Sequence, residues 1–208
     1  VSSRSPRGDR RGGSCRPPRP SGAGSPSCPA SPAARQNGGV RREGNGHRER
    51  LEAELRSRVD GEGYAVLAVF DPDDEAPPLT YTVGIWRGTG APEVIAVGVD
   101  HELGAALVEE YVRRCRAGER FEPGRRYDGF LEGLPVTFEW VSAEHHREWL
   151  GSASVVYPDG DFRMLQLLVP DPSGVWPWQP GAPHELVRGQ PVLTASGRPE
   201  SWDPEEGP

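Results

Sequence analysis

The 208 residues are enough for one ordinary domain, and 35% of them are hydrophobic, a low share for a chain folded throughout. Residues 1–50 hold 11 Arg against Asp9, Glu43 and Glu49, a net charge of +8, and the remaining residues bring the whole chain to −7. The acidic balance after residue 50 argues against nucleic acid as a partner of the folded part, and no apolar run of about 18 residues exists to form a membrane-spanning helix.

Residues 1–46 are rich in Arg, Gly, Pro and Ser and contain no Leu, Ile, Met, Phe, Trp or Tyr. Such a stretch cannot bury enough apolar surface to offset the entropy of ordering, so a disordered segment is predicted. Its arginines could contact nucleic acid, but no aromatic residue interleaves them as a stacking platform. The chain has no Lys, and its Ala, Gly and Pro excess fits GC-rich coding, so the arginines are read partly as codon usage. No apolar stretch follows them, which leaves no secretory or twin-arginine signal and makes the cytoplasm the predicted compartment.

A domain is predicted over residues 47–178. Leu51, Leu55 and Val59 fall at i, i+4 and i+8, a narrow stripe on a helix from His47 that ends near Gly61. Gly63 to Phe70 reads as a strand buried on both faces, and Asp71 to Pro78 as an acidic loop. Leu79 to Trp86 and Glu93 to Val99 read as two more strands. The short Gly-containing link from Arg87 to Ala91 leaves room only for an antiparallel meander. Asp100 is a favoured N-cap for a helix to about Ala117, with Leu103, Leu107, Tyr111 and Cys115 repeating every four residues.

Phe130 to Gly133 and Leu134 to Val141 suggest a hairpin, the second arm alternating Leu134, Val136, Phe138 and Trp140 with less apolar positions. Ser142 opens a short helix to Leu150. Arg163 to Val169 is the last predicted strand, followed by a Pro170–Gly174 turn and Trp176-Pro-Trp178. Residues 179–208 return to Pro, Gly and Glu and are predicted to be a loosely ordered tail. The fold class is therefore α+β: a single domain with a mainly antiparallel sheet of about five to six strands and two to three helices packed on one side.

Chemistry-bearing patterns are sparse. Cys15, Cys28 and Cys115 have no paired spacing, and Cys115 lies in line with the apolar stripe of its helix, as a core thiol does. His145 and His146 are adjacent, about 100° apart on a helix, and His101 stands in a first turn. None has a partner at ligand spacing, so no metal site is assigned. Gly84 inside a β-rich run marks a bulge or a close backbone approach, with Thr80 and Thr82 beside it and Tyr81 on the opposite face. Gln166 is a lone amide among Met164, Leu165, Leu167 and Leu168 and needs partners if buried.

These pieces resemble a known bacterial family, domain of unknown function 4262. The resemblance rests on Tyr81-Thr-Val-Gly-Ile-Trp86, Pro92-Glu93, Gly118-Glu-Arg-Phe121, Leu150-Gly151, Leu165-Gln-Leu167, Pro170-Asp171 and Trp176-Pro-Trp178. It departs from the family pattern at Ala91, where a His is usual, and at Val169, where an aromatic is usual. The resemblance implies a small bacterial cytosolic protein and no particular reaction. Its motif positions Tyr81, Thr82, Gly84, Gln166, Asp171 and Trp178 are the candidate ligand-binding residues.

Aromatic, amide and hydroxyl groups without an acid–base set favour a small-molecule-binding or regulatory module. The alternative is an enzyme that uses Tyr81 or His101 with a carboxylate such as Asp171. The sequence assigns neither a cofactor nor an oligomeric state.

Overall fold

The computed structural model describes residues 39–69, 76–149 and 151–208. The arginine-rich stretch up to residue 38, most of the acidic loop with Phe70, and Leu150 lie outside the described residues. Helix α1 (Gly39–Glu62) begins before the apolar stripe and outlasts it. Leu55 and Val59 are buried and Leu51 is not. The stop is Gly63 rather than Gly61. Its φ of 84° is one that a glycine adopts without a Cβ clash, and its N–H donates to Val59 O at 2.9 Å.

Strands β1 (Ala65–Val69) and β2 (Leu79–Val83), helix α2 (Ile85–Thr89) and strand β3 (Glu93–Val97) follow. Helix α3 (His101–Arg116) is capped by the Asp100 side chain, which accepts the Leu103 N–H at 3.0 Å. Next come β4 (Arg126–Tyr127), β5 (Val136–Trp140), α4 (Ala143–Trp149), a 3-10 turn (Gly151–Val155), β6 (Met164–Leu168) and α5 (His184–Gly189). One six-stranded sheet runs β1-β2-β3-β6-β5-β4. The first three strands form the antiparallel meander. β6 then inserts beside β3, the one parallel neighbour in an otherwise antiparallel sheet.

The α+β class and the mostly antiparallel sheet match the sequence reading, and several finer expectations do not. Helices cover both faces rather than one. Leu107, Val108, Tyr111 and Val112 of α3 pack with Val94, Ala96, Leu165 and Leu167. Leu55 and Val59 of α1 pack on the opposite face with Tyr81, Val83, Ile95 and Met164. Both covers are needed because β2, β3 and β6 are buried at every position. β1, expected to be buried on both faces, is instead the edge strand, with Ala68 and Val69 exposed.

Strand β2 stops three residues before Trp86, since Gly84 turns the chain into α2. β5 pairs with Arg126–Tyr127, not with residues 130–133. Phe130 turns inward instead and meets the rings of Phe121 and Phe138. Phe121 also lies 5.0 Å from Tyr111 and 4.9 Å from Tyr127, so the Gly118–Phe121 motif supplies the hub of an aromatic cluster.

The residues after Gln179, for which a loose tail is expected, carry α5 and run across the sheet. A Cβ on Gly98 would sit 1.9 Å from Gly189 O, so the end of β3 and the end of α5 touch backbone to backbone.

Candidate functional site

Tyr81 is the sequence-predicted residue that reaches the larger of two concavities touched by the candidates. Its strand is central in the meander and its side chain lies on the α1 face. There it floors a cleft of about 650 Å³ between α1, β1 and the 3-10 turn. Leu51, Leu55, Leu67, Val69 and Val155 supply apolar walls, and Arg48, Glu52, Glu54 and Arg58 stand at the helix side. Arg48 pairs with Glu52 at 2.8 Å and Arg58 with Glu54 at 3.3 Å. Burial raises the pKa of the Tyr81 phenol, and the hydroxyl and N–H of Ser152 beside its oxygen oppose that rise. The phenol therefore stays protonated, on a residue that is itself 1% exposed beneath the cleft. Leu51 and Val69, at 53% and 47% exposure, are two of three large hydrophobics left open to solvent among the described residues, and both line this cleft.

Thr82 and Gly84 build a second, sealed arrangement at the adjoining end of the sheet. Glu93 is fully buried there. Its Oε2 accepts the Thr82 hydroxyl at 2.6 Å, and its Oε1 accepts the N–H groups of Gly84 at 2.9 Å and Trp86 at 3.0 Å. The Tyr157 hydroxyl donates to the same Oε1. The Thr82 oxygen in turn accepts the Val94 N–H at 2.9 Å, and Tyr157 accepts the Gly84 N–H at 3.1 Å. Burial raises the Glu93 pKa, and these four donors pull against it. A Cβ on Gly84 would lie 2.8 Å from Gly63 O and 2.9 Å from Tyr64 Cα, at a φ of +112°. The glycine is thus a close backbone approach, one of the two alternatives its sequence context offers.

The remaining three candidates lie elsewhere. Gln166 is fully buried; its amide donates to Pro191 O and accepts from Leu193 N, both at 2.7 Å. Next to it in register, Glu139 accepts the N–H groups of Glu200 at 2.8 Å and Ser201 at 2.9 Å. Asp171 closes its own turn, accepting from Ser173 and Val175. Trp178 stacks on Trp176 at 5.1 Å and lines a separate cleft of about 450 Å³ with Pro177, Pro191 and Val192. The six candidates are therefore not brought around one pocket.

A family model described as Domain of unknown function (DUF4262) matches residues 58–183. The chain belongs to this family. No curated protein and no solved structure matches it. The DUF4262 match takes in Tyr81, Glu93, Gln166 and Tyr157, but not Pro191, Leu193, Glu200 or Ser201, the backbone that Gln166 and Glu139 hold.

Of the two positions where the sequence reading expects a departure from the family pattern, Ala91 is fully buried. The N–H and C=O of Val169 are both bound by the Gln190 amide, at 2.8 and 2.9 Å. Glu93 is the site residue that sequence reasoning missed, although Pro92-Glu93 is part of the motif. A lone carboxylate heading an apolar strand was the available signal. Ser152 and Tyr157 carried none.

No His or Asp stands among the described residues lining the Tyr81 cleft. His101 is exposed at the start of α3, while His146 stacks on Phe162 at 4.6 Å. Among the described residues, no group of three His, Cys, Asp or Glu side chains converges as a metal site would require, and no helix is long and apolar enough to cross a membrane.

Proposed function

We propose that this DUF4262 domain is a small-molecule-binding module, with its ligand seated in the cleft between α1, β1 and the 3-10 turn. The observation that carries the reading is the position of Tyr81. A motif tyrosine, held protonated, floors a concavity rimmed by exposed Leu51 and Val69. Ligand sites combine apolar walls with placed polar groups, and this cleft has both, with charged Arg48, Glu52, Glu54 and Arg58 along its α1 side. The ligand class that fits is a compact molecule with an apolar body against Leu51, Leu55, Leu67 and Val155.

The test uses the amphipathic dye anilinonaphthalene sulfonate as probe. The native full chain should enhance its fluorescence. Leu51→Glu, on an exposed position that leaves the core intact, should abolish most of that signal without moving Tm. Equal dye binding by wild type and L51E would sink the proposal.

A further inference from the structure

The cleft at Trp178 supports an inference that does not depend on the Tyr81 cleft. We propose that it binds a free apolar α-amino acid, with the side chain against Trp178 and the proline-rich walls, the carboxylate at Arg198 and the ammonium at Glu205.

Every residue lining this cleft is among the described ones, and its volume of about 450 Å³ lies in the range of small-molecule sites. Its walls are fixed without a ligand. The Trp178 ring stacks on Trp176 at 5.1 Å and meets Trp202 edge-on at 5.4 Å. Gln190, which leads into Pro191 and Val192, is clamped to the Val169 backbone at 2.8 and 2.9 Å. Pro177, Pro180, Pro191 and Pro204 add rigid surface that has no N–H to satisfy. Walls set in advance lower the cost of binding. Val187, at 45% exposure, leaves apolar surface at the cleft for a ligand's side chain to cover.

Arg198 and Glu205 decide the polar end of the ligand. Both are exposed, both line the cleft, and neither side chain has an ion-pair or hydrogen-bond partner among the described residues. A cation alone would suit a simple carboxylate, and a carboxylate alone would suit an amine. The two together, unpaired with each other beside apolar walls, complement a ligand that carries both charges on one short apolar body. An α-amino acid is such a molecule. A guanidinium can hold its carboxylate with two parallel N–H bonds, and tryptophan is the ring best suited to lie beside its ammonium. Trp178 lies within the family match and the two charges lie beyond it, so the C-terminal segment of this chain supplies the polar half of the site.

The experiment is isothermal titration calorimetry on the full chain with L-leucine, isocaproate (the same body without the ammonium) and isoamylamine (without the carboxylate). L-Leucine should bind with a Kd of about 1 mM or tighter. Each fragment should bind about tenfold more weakly or worse, as the loss of a charge-assisted contact implies. Arg198→Gln should weaken L-leucine by a similar factor and abolish what isocaproate binding there is, while Glu205→Gln should weaken L-leucine and leave isocaproate unaffected. Both positions are exposed, so Tm should not move. A Kd for L-leucine weaker than about 1 mM, a fragment that binds as tightly as L-leucine, or either variant binding L-leucine at wild-type affinity would each overturn the inference. Leu51→Glu, which tests the Tyr81 cleft, should bind L-leucine as wild type does. Loss of L-leucine binding in L51E would move the amino acid to the other cleft and overturn the assignment, so failure of one site is distinguishable from failure of the other.

Discussion

The Tyr157 hydroxyl donates to the buried Glu93 carboxylate across 64 residues of sequence. The contact ties the segment after the 3-10 turn to the head of β3. The same carboxylate receives the backbone N–H groups of Gly84 and Trp86, so one side chain fixes the end of β2, the start of α2 and the start of β3. A buried carboxylate is tolerated only when its lone pairs are met by donors, and here four donors meet them.

Removing the phenolic hydroxyl tests this arrangement. Tyr157→Phe keeps the ring stacked on Phe162, 4.7 Å away, and deletes only the donor. The expected loss is about 1–3 kcal/mol in urea unfolding, typical for a buried hydrogen bond to a charged group. A Y157F variant as stable as wild type would show that the contact carries no net energy.

Glu93 also predicts a pH dependence. Burial holds its folded pKa above the ordinary 4.5, so the folded state retains the proton where the unfolded chain has released it. Its contribution is fully present below pH 4.5 and is lost as pH rises from there through the raised folded value. Glu93→Gln cannot titrate, so its penalty relative to wild type should shrink as pH rises across that window. Unfolding free energies of both proteins, measured every half unit from pH 4.5 upward, check the sign. A penalty that grows instead would mean that the four donors outweigh burial.

Gly84→Ala should be among the most damaging single-methyl changes. The added Cβ would meet Gly63 O, Tyr64 Cα and Val59 Cγ1 within 3 Å, two of them backbone atoms, at a φ that L-residues rarely adopt. Strain of this kind costs on the order of 1–3 kcal/mol before any clash is counted. Gly90→Ala makes the comparison: it also has positive φ, at 69°, but open space around it. Thermal melts should rank G84A well below G90A.

How legible the molecule was in its sequence depended on how local each cause was. The α3 cap at Asp100 and the strand at β5 are written within a few residues and both appear where expected, although β5 is buried on both faces, Thr137 and Glu139 included. Gly84 was recognisable as a place where backbone approaches, because a glycine in a β-rich run has few other uses. What approaches it is Gly63 and Tyr64, brought there by the turn between α1 and β1. The parallel β3–β6 pairing was not legible, because it depends on where the chain returns after α3, β4 and β5. Gln166 was legible as a buried amide in need of partners. Its partners, Pro191 and Leu193, sit in a stretch whose composition suggests a tail, since side chains elsewhere satisfy that stretch's backbone.

The hold of Gln166 on that stretch can be broken by one substitution. Gln166→Leu keeps the volume of the side chain roughly constant and leaves Pro191 O and Leu193 N without their partner. Each orphaned buried group costs about 1–3 kcal/mol. The penalty has a local escape, because residues 190–202 can lift from the sheet and find water more cheaply than the whole domain can unfold. Q166L should therefore show faster hydrogen exchange at Leu193 and earlier proteolysis after α5, with a smaller change in the exchange of β3. Glu139→Gln, which disturbs the hold on Glu200 and Ser201 from the adjacent strand, should loosen the same segment further toward its end. If exchange in Q166L instead rises uniformly through β3, β6 and residues 190–202, the segment is part of the cooperative core. The amide would then act as an internal brace of the whole sheet, not as a clasp for what crosses it.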